Sequence, residues 1–241
     1  GHVWPVWHGF RGGKGVGTLL GALAVLWPLA LLPLFAVWLG VLVVWAVLLV
    51  QRQSLRVPRR EWWTLAQLSF FNMVIWNSLI IVAIPLVSSG RAAILGYTMP
   101  IFSAVLGSLI WRDRLSSRAW GGVGAAFVGV MLLLWHEFGA LGSNPSGPLL
   151  ILLAALCWAV GTQMMRRASM QTPLLLMTFW MMLITALVLT VAAMALEHTL
   201  WHVPDAVAVG TILFNGLLVV GFAQVVWFVL ARSLPPVAST L

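Results

Sequence analysis

Apolar runs long enough to cross a hydrocarbon layer recur along this chain, and almost every positive charge falls in the turns that follow every second run. Only α-helices and closed β-barrels satisfy their backbone polar groups inside lipid, and runs of roughly 20 apolar residues select the helix. Hydrophobic residues make up 62% of the chain, charged residues 7%, and mean hydropathy is +1.04. A soluble domain carries roughly 25% charged residues. The expected fold class is therefore all-α, a polytopic membrane helical bundle.

Proline, glycine and charge divide the chain into eight membrane segments, near 15–27, 33–50, 62–86, 91–111, 117–135, 148–165, 173–196 and 206–231. The run from Val16 to Val50 is too long for one span and breaks at Pro28 and Pro33. Of the 13 basic residues, all but Arg91 fall on one side of this serpentine: Arg11, Lys14, Arg52, Arg56, Arg59, Arg60, Arg112, Arg114, Arg118, Arg166, Arg167 and Arg232. The loops at 136–147 and 197–205 hold no Lys or Arg and three of the five acids. Basic residues are retained in the cytoplasm, so the Arg-rich loops should be cytoplasmic and the other two external.

The net charge of +8 does not point to nucleic acid, because the arginines stand singly or in pairs between apolar runs rather than on one basic face. Cys157, the single cysteine, excludes a disulfide within the chain and reads as a small packing residue. Gly121, Ala125 and Gly129 recur every four residues, a small-residue ridge that predicts a tightly packed helix in segment five. Trp62, Trp63, Trp111, Trp120, Trp135 and Trp201 sit at segment ends, where amphipathic rings favour the headgroup zone.

Polar side chains inside spans are the functional candidates, since each costs free energy unless a partner helix or a wet cavity receives it. Asn72, Trp76 and Asn77 lie mid-way along the third segment; at 100° per residue Asn72 and Trp76 share a face and Asn77 is turned away. Tyr97 and Thr98 precede Pro100 in the fourth segment, where the proline frees a carbonyl one turn back. Trp158 and Gln163 in the sixth segment and Gln224 and Trp227 in the eighth complete the set, with Asn215 on the face opposite Gln224. Interhelical hydrogen bonding and ring packing are the alternatives to substrate contact for each. All five acids lie in loops or at span ends, so this stretch offers no buried carboxylate for proton coupling. Glu197, His198, His202 and Asp205 are a poor metal site, because Pro204 and the loop setting deny them a rigid helix, and no metal or cofactor is expected.

Near the N-terminus, Arg11, Gly12, Gly13, Lys14 and Gly15 form a glycine-rich loop whose backbone N–H groups and two cations suit a phosphate. It is not a Walker loop, since Lys14 precedes Gly15 rather than Ser or Thr. The alternative is a loop held by its cations at the lipid headgroups.

From about Leu39 to Leu241 the chain resembles the drug/metabolite transporter superfamily, in particular EamA-type permeases. The resemblance is carried by SGRAAILGYTMPIFSAVLG (89–107), WRDRLSSRAWGG (111–122), VGVMLLLW (128–135), ALCWAVGTQMMRR (155–167) and FAQVVWFVLARSLPPVAS (222–239). It implies two inverted five-helix repeats, each present in part, over 46–136 and 147–241. Helices two to eight would be complete, the ninth would begin at Pro235, and the first and tenth would be absent. A midplane substrate site between the repeats follows from such inversion. The first 45 or so residues instead resemble the acyl-phosphate glycerol-3-phosphate acyltransferase, whose glycerol-phosphate motif is matched at Gly1, His2, Pro5, Phe10, Arg11, Gly12, Gly13, Lys14, Gly15, Val16 and Thr18. The two resemblances together suggest a fusion.

The leading expectation is a secondary transporter of a small organic metabolite or drug in a bacterial inner membrane, with no enzymatic chemistry. Its partners would be the lipid bilayer and a small-molecule substrate, with a homodimer possible in principle. Acyl transfer onto glycerol 3-phosphate and a non-functional fusion fragment are the rival readings.

Overall fold

The computed structural model describes residues 31–135, 145–196 and 206–233. The expected segment at 15–27, the glycine-rich loop with Arg11 to Gly15, and the Glu197–Asp205 group lie outside the described residues, as does nearly all of both expected external loops. Among the described residues there are seven helices and no strand. They are α1 (Leu31–Val50), α2 (Arg59–Leu86), α3 (Ser89–Gly96, resumed as Met99–Trp111), α4 (Ser117–Trp135), α5 (Ser146–Arg167), α6 (Leu174–Leu196) and α7 (Ala206–Phe214, Asn215–Ala223 and Gln224–Ser233). Seven of the eight expected segments thus have a helix in place. By length and composition five of these, α2, α3, α5, α6 and α7, could cross a membrane, and α1 carries a shorter apolar helix over Leu34–Val50.

Two helices carry π-helical stretches near their middles, Phe70–Val74 in α2 and Asn215–Ala223 in α7. Such inserts widen the turn and recur at functional sites. α1 ends in a Schellman closure: Arg52 takes the left-handed conformation (φ 52), Gln53 N–H donates to Leu48 O at 3.0 Å and Arg52 N–H to Leu49 O at 3.0 Å. Arg112 adopts the same conformation (φ 56) beyond α3.

α5 lies at the centre, packed by α2, by both parts of α3 and by the end of α7. Its inner face is built of small residues, Ala154, Ala155, Ala159 and Gly161, all buried. At Gly161 an added Cβ would collide with the Asn72 side chain and come within 3.0 Å of the Asn72 backbone nitrogen, so glycine permits the α2–α5 approach. α1 interlocks with α7 in the same manner: a Cβ on Gly40 would stand 2.6 Å from Val220 Cγ1, and one on Gly216 would stand 2.7 Å from Leu39 Cδ2.

The ridge of Gly121, Ala125 and Gly129 does not make the tight interface expected of it. A Cβ at Gly121, Gly122, Gly124 or Gly129 meets nothing within 4 Å, Ala125 is exposed, and α4 rests mainly on α3. Spacing shows that small residues share a face, but lipid-facing and helix-facing positions are both apolar, so it does not show what that face meets.

One end of the bundle is tied by polar contacts. The Glu61 carboxylate is 5% exposed and accepts hydrogen bonds from Gln171 N–H (2.9 Å), Thr172 N–H (3.1 Å) and Thr172 Oγ1–H (2.5 Å). Trp180 Nε1–H donates to Leu55 O at 3.1 Å. Asp113 pairs with Arg167 at 2.6 Å. The Arg-bearing turns around 51–60 and 112–116 therefore converge with the 168–173 turn, which follows Arg166 and Arg167 at the end of α5. Glu61 sits at a span end, as expected, and is buried there because α2 begins against the turn that precedes α6, whose free N–H groups require an acceptor.

Gly161→Ala is expected to lower the melting temperature in detergent by ~4 °C or more, the scale of overpacking a close contact. Gly121→Ala should leave it unchanged, because its Cβ enters open space. Glu61→Ala strips three hydrogen bonds from the turn at 171–172 and should cost about 2–4 kcal/mol in a reversible unfolding titration. Glu61→Gln should cost less, since it keeps an acceptor.

Candidate functional site

Four of the candidates, Asn72, Trp76, Trp158 and Gln163, gather where α2, α3 and α5 meet. On α5 a face made by Trp158, Gly161, Thr162 and Gln163 turns inward, every one of them buried. Asn72 enters from the π turn of α2, fully buried, with its Nδ2–H on Leu68 O at 3.3 Å and its Oδ1 facing the Thr162 hydroxyl at 3.5 Å. One turn on, the half-buried Trp76 ring meets Trp158 edge to face, centroids 5.2 Å apart. Gly96 of α3 lies under the Trp76 ring: a Cβ there would be 3.6 Å from Trp76 Cη2. Asn72 and Trp76 both reach α5, as a shared helix face requires. Asn77 instead donates to Met73 O at 2.8 Å within its own helix.

Trp158 has a buried Nε1–H with no hydrogen-bond partner among the described residues. An unmet donor inside an apolar bundle costs about 1–3 kcal/mol, which a solute carbonyl, carboxylate or water would recover. The two acids among the described residues, Glu61 and Asp113, bond elsewhere, to the 171–172 turn and to Arg167.

Towards the arginine-bearing end the polar contacts become dense. Gln163, fully buried, donates through Nε2 to Ser103 O at 2.6 Å and to Ser103 Oγ at 2.9 Å. Arg167, one turn on, donates through Nη1 to Gln163 O at 3.0 Å and to Gln163 Oε1, and through Nη2 to Asp113 Oδ2 at 2.6 Å. Its guanidinium carbon stands 4.6 Å from the Trp111 ring centroid. Gly107 makes room, since a Cβ there would lie 2.8 Å from Asp113 Oδ2 and 2.9 Å from Gln163 Nε2.

The remaining candidates fall elsewhere. Tyr97 marks the break between the two parts of α3 and is 74% exposed. Thr98 is buried, with its hydroxyl on Leu95 O at 2.6 Å. Pro100 sits in the first turn after that break, where proline is tolerated. Gln224 and Trp227 occupy the last part of α7, which packs against α5 and α6, and their buried Nε2 and Nε1 atoms have no partner among the described residues. No hydrogen bond or ring contact among the described residues joins them to the Asn72–Trp158 group. Asn215 donates within its helix to Thr211 O at 2.9 Å.

Sequence reasoning missed Ser103, Gly107, Asp113, Thr162 and Arg167. Their signal was present as two stripes with four-residue spacing, Ser103–Gly107 and Gln163–Arg167, that run into a charged turn.

A bundle with this polar seam matches a known family, whose description is EamA-like transporter family, over residues 16–135 and 145–241. The chain belongs to the EamA-like transporter family. It is thus a multi-pass membrane protein of a transporter family. Among curated relatives, "Uncharacterized transporter YoaV" of Bacillus subtilis is 26% identical over 196 residues, 79% of this chain and 66% of that protein. A solved structure titled "Crystal structure of protein" has a TM-score of 0.69 at 21% identity, covering 95% of this chain and 83% of that one, and so supports the fold alone. A short segment has a different likeness. Glycerol-3-phosphate acyltransferase of Methylorubrum populi is 58% identical over 40 residues, and that of Halalkalibacterium halodurans is 47% identical over 55 residues. These matches take in 17% and 23% of this chain, and 20% and 24% of those proteins.

Proposed function

We propose that this EamA-family chain moves a small organic metabolite or drug by alternating access, with its solute held between α2, α3 and α5. The observation that carries the reading is the buried Trp158 N–H, unpartnered among the described residues, beside the Trp76 ring and the Asn72 amide, a donor set to which neither described acid, Glu61 or Asp113, is bonded. Aromatic walls and uncharged donors suit neutral, zwitterionic or amphipathic solutes that carry hydrogen-bond acceptors. Inverted repeats over 46–136 and 147–241 agree with the π stretches: α2 and α7 would each be the third helix of a repeat, and each is widened near its middle. The arginine-bearing turns face the cytoplasm in this reading, and the membrane is the bacterial inner membrane. Gln224 and Trp227, whose buried Nε2 and Nε1 atoms have no partner among the described residues, are the second repeat's candidates for the same solute.

The test is a solute panel scored by thermal stabilisation of the purified chain and then by uptake into liposomes. A stabilising solute is expected. Trp158→Phe, which keeps the ring contact with Trp76 and deletes the N–H, should weaken that solute about tenfold, the scale of one hydrogen bond. A folded wild-type chain that neither binds nor transports any solute of these classes would reject the reading.

A second reading has its own support in the acyltransferase likeness of the short segment. There Arg11, Gly12, Gly13, Lys14 and Gly15 hold the phosphate of glycerol 3-phosphate. Purified chain given acyl phosphate and glycerol 3-phosphate would form lysophosphatidate, and Arg11→Ala would abolish it. No product from the wild type rejects this reading.

A further inference from the structure

We propose that Asp113, Arg167, Gln163 and Ser103 form a latch that closes the arginine-bearing end of the transport path, so that the structure is the state shut at that end. The inference rests on the transporter reading and adds to it which end is closed and by what. Ser103 and Asp113 belong to the first half of the chain, Gln163 and Arg167 to the second. The contact thus joins the two bodies that must separate for solute to leave at that end.

The latch has two layers. The inner one is uncharged: Gln163 Nε2–H reaches across from α5 to Ser103 on α3, at full burial. The outer one is the Arg167–Asp113 pair, whose side chains are 30% and 27% exposed, with the guanidinium over Trp111. Arg167 joins the layers by donating to Gln163 as well as to Asp113. The outer layer alone is reachable by water, so it can exchange protein partners for solvent at small cost. The inner layer is dry, and separating it leaves the Gln163 amide and the Ser103 hydroxyl to be met by entering water or solute. A switch of this kind needs groups that water can satisfy on opening; an interlocked apolar seam such as Gly40–Val220 offers none.

Local geometry supports a position under constraint. Arg112 holds a left-handed conformation, uncommon for a residue with a Cβ, and turns the chain so that Asp113 folds back on α3, its N–H on Gly107 O at 3.0 Å. At Gly107 Asp113 and Gln163 both come within 3 Å of a would-be Cβ. The Glu61 contacts to the 171–172 turn lie at the same end, but they bind a helix start to backbone amides and so serve as a fixed tie rather than a release.

Ala159 reports on the latch: it lies one turn before Gln163 on the same face of α5, behind the closure, and is 1% exposed. In the full chain in membrane vesicles, with Cys157→Ser removing the native thiol, Ala159→Cys is expected to resist a membrane-impermeant thiol reagent applied to the arginine-bearing face. Adding Asp113→Asn or Arg167→Gln should raise its labelling rate about tenfold from that face, as loss of one charged hydrogen bond shifts a two-state population. Gly107→Ala, which wedges the latch while leaving every charge in place, should do the same. Fast labelling with the latch intact overturns the proposal, as does slow labelling in folded Gly107→Ala. Labelling requires no solute, so failure of the latch is read independently of failure of transport, which the solute panel decides.

Discussion

A polar side chain inside a hydrocarbon layer has no water to turn to, and most of this bundle follows from where such groups find partners. Thr178, Thr185, Thr190 and Thr211 hand their hydroxyl protons back to carbonyls one turn earlier, which satisfies the donor inside an apolar helix. Trp38 goes further and crosses to Thr190 at 3.0 Å, joining α1 to α6. Gln163 crosses from α5 to Ser103 on α3, and Asn72 of α2, besides its bond to Leu68 O, faces the Thr162 hydroxyl of α5. The same demand that locates the candidate site also holds three helices together.

Close approach between backbones is the second condition, because lipid supplies no hydrophobic drive for helices to associate. Glycine provides it at Gly161, Gly40 and Gly216, each beneath a side chain of another helix. Around α5 this closeness brings a dry polar seam between the halves. At its aromatic end Trp158 keeps a spare donor, and at its charged end Gln163 donates to Ser103 and Arg167 to Gln163 and Asp113. That contrast separates the region suited to a solute from the region suited to closure.

Much of the architecture was legible in the residues. Seven expected segments have helices, and the arginine-bearing turns converge on one end, because apolar length and charge placement are properties of consecutive residues. Asn72, Trp76, Trp158 and Gln163 were also visible as polar or amphipathic breaks in apolar runs. The ridge on α4 misled, and Glu61 was read as an ordinary end-of-span acid. In both cases the residue's own stretch is unremarkable, and its role depends on what a distant segment brings to it.

Family likeness and spacing could name the candidates but could not sort them. Tyr97, Asn77 and Asn72 are equally polar insertions in sequence, yet one is exposed at a helix break, one is satisfied within its own helix, and one is buried against α5. The sequence by itself determined that the chain is helical and membrane-embedded and where its turns fall, since hydrophobic length and backbone hydrogen bonding act locally. Only the tertiary structure decided which polar groups meet, which glycines lie at contacts and where the two halves are pinned, because those depend on the rotation and crossing of helices that no single stretch encodes.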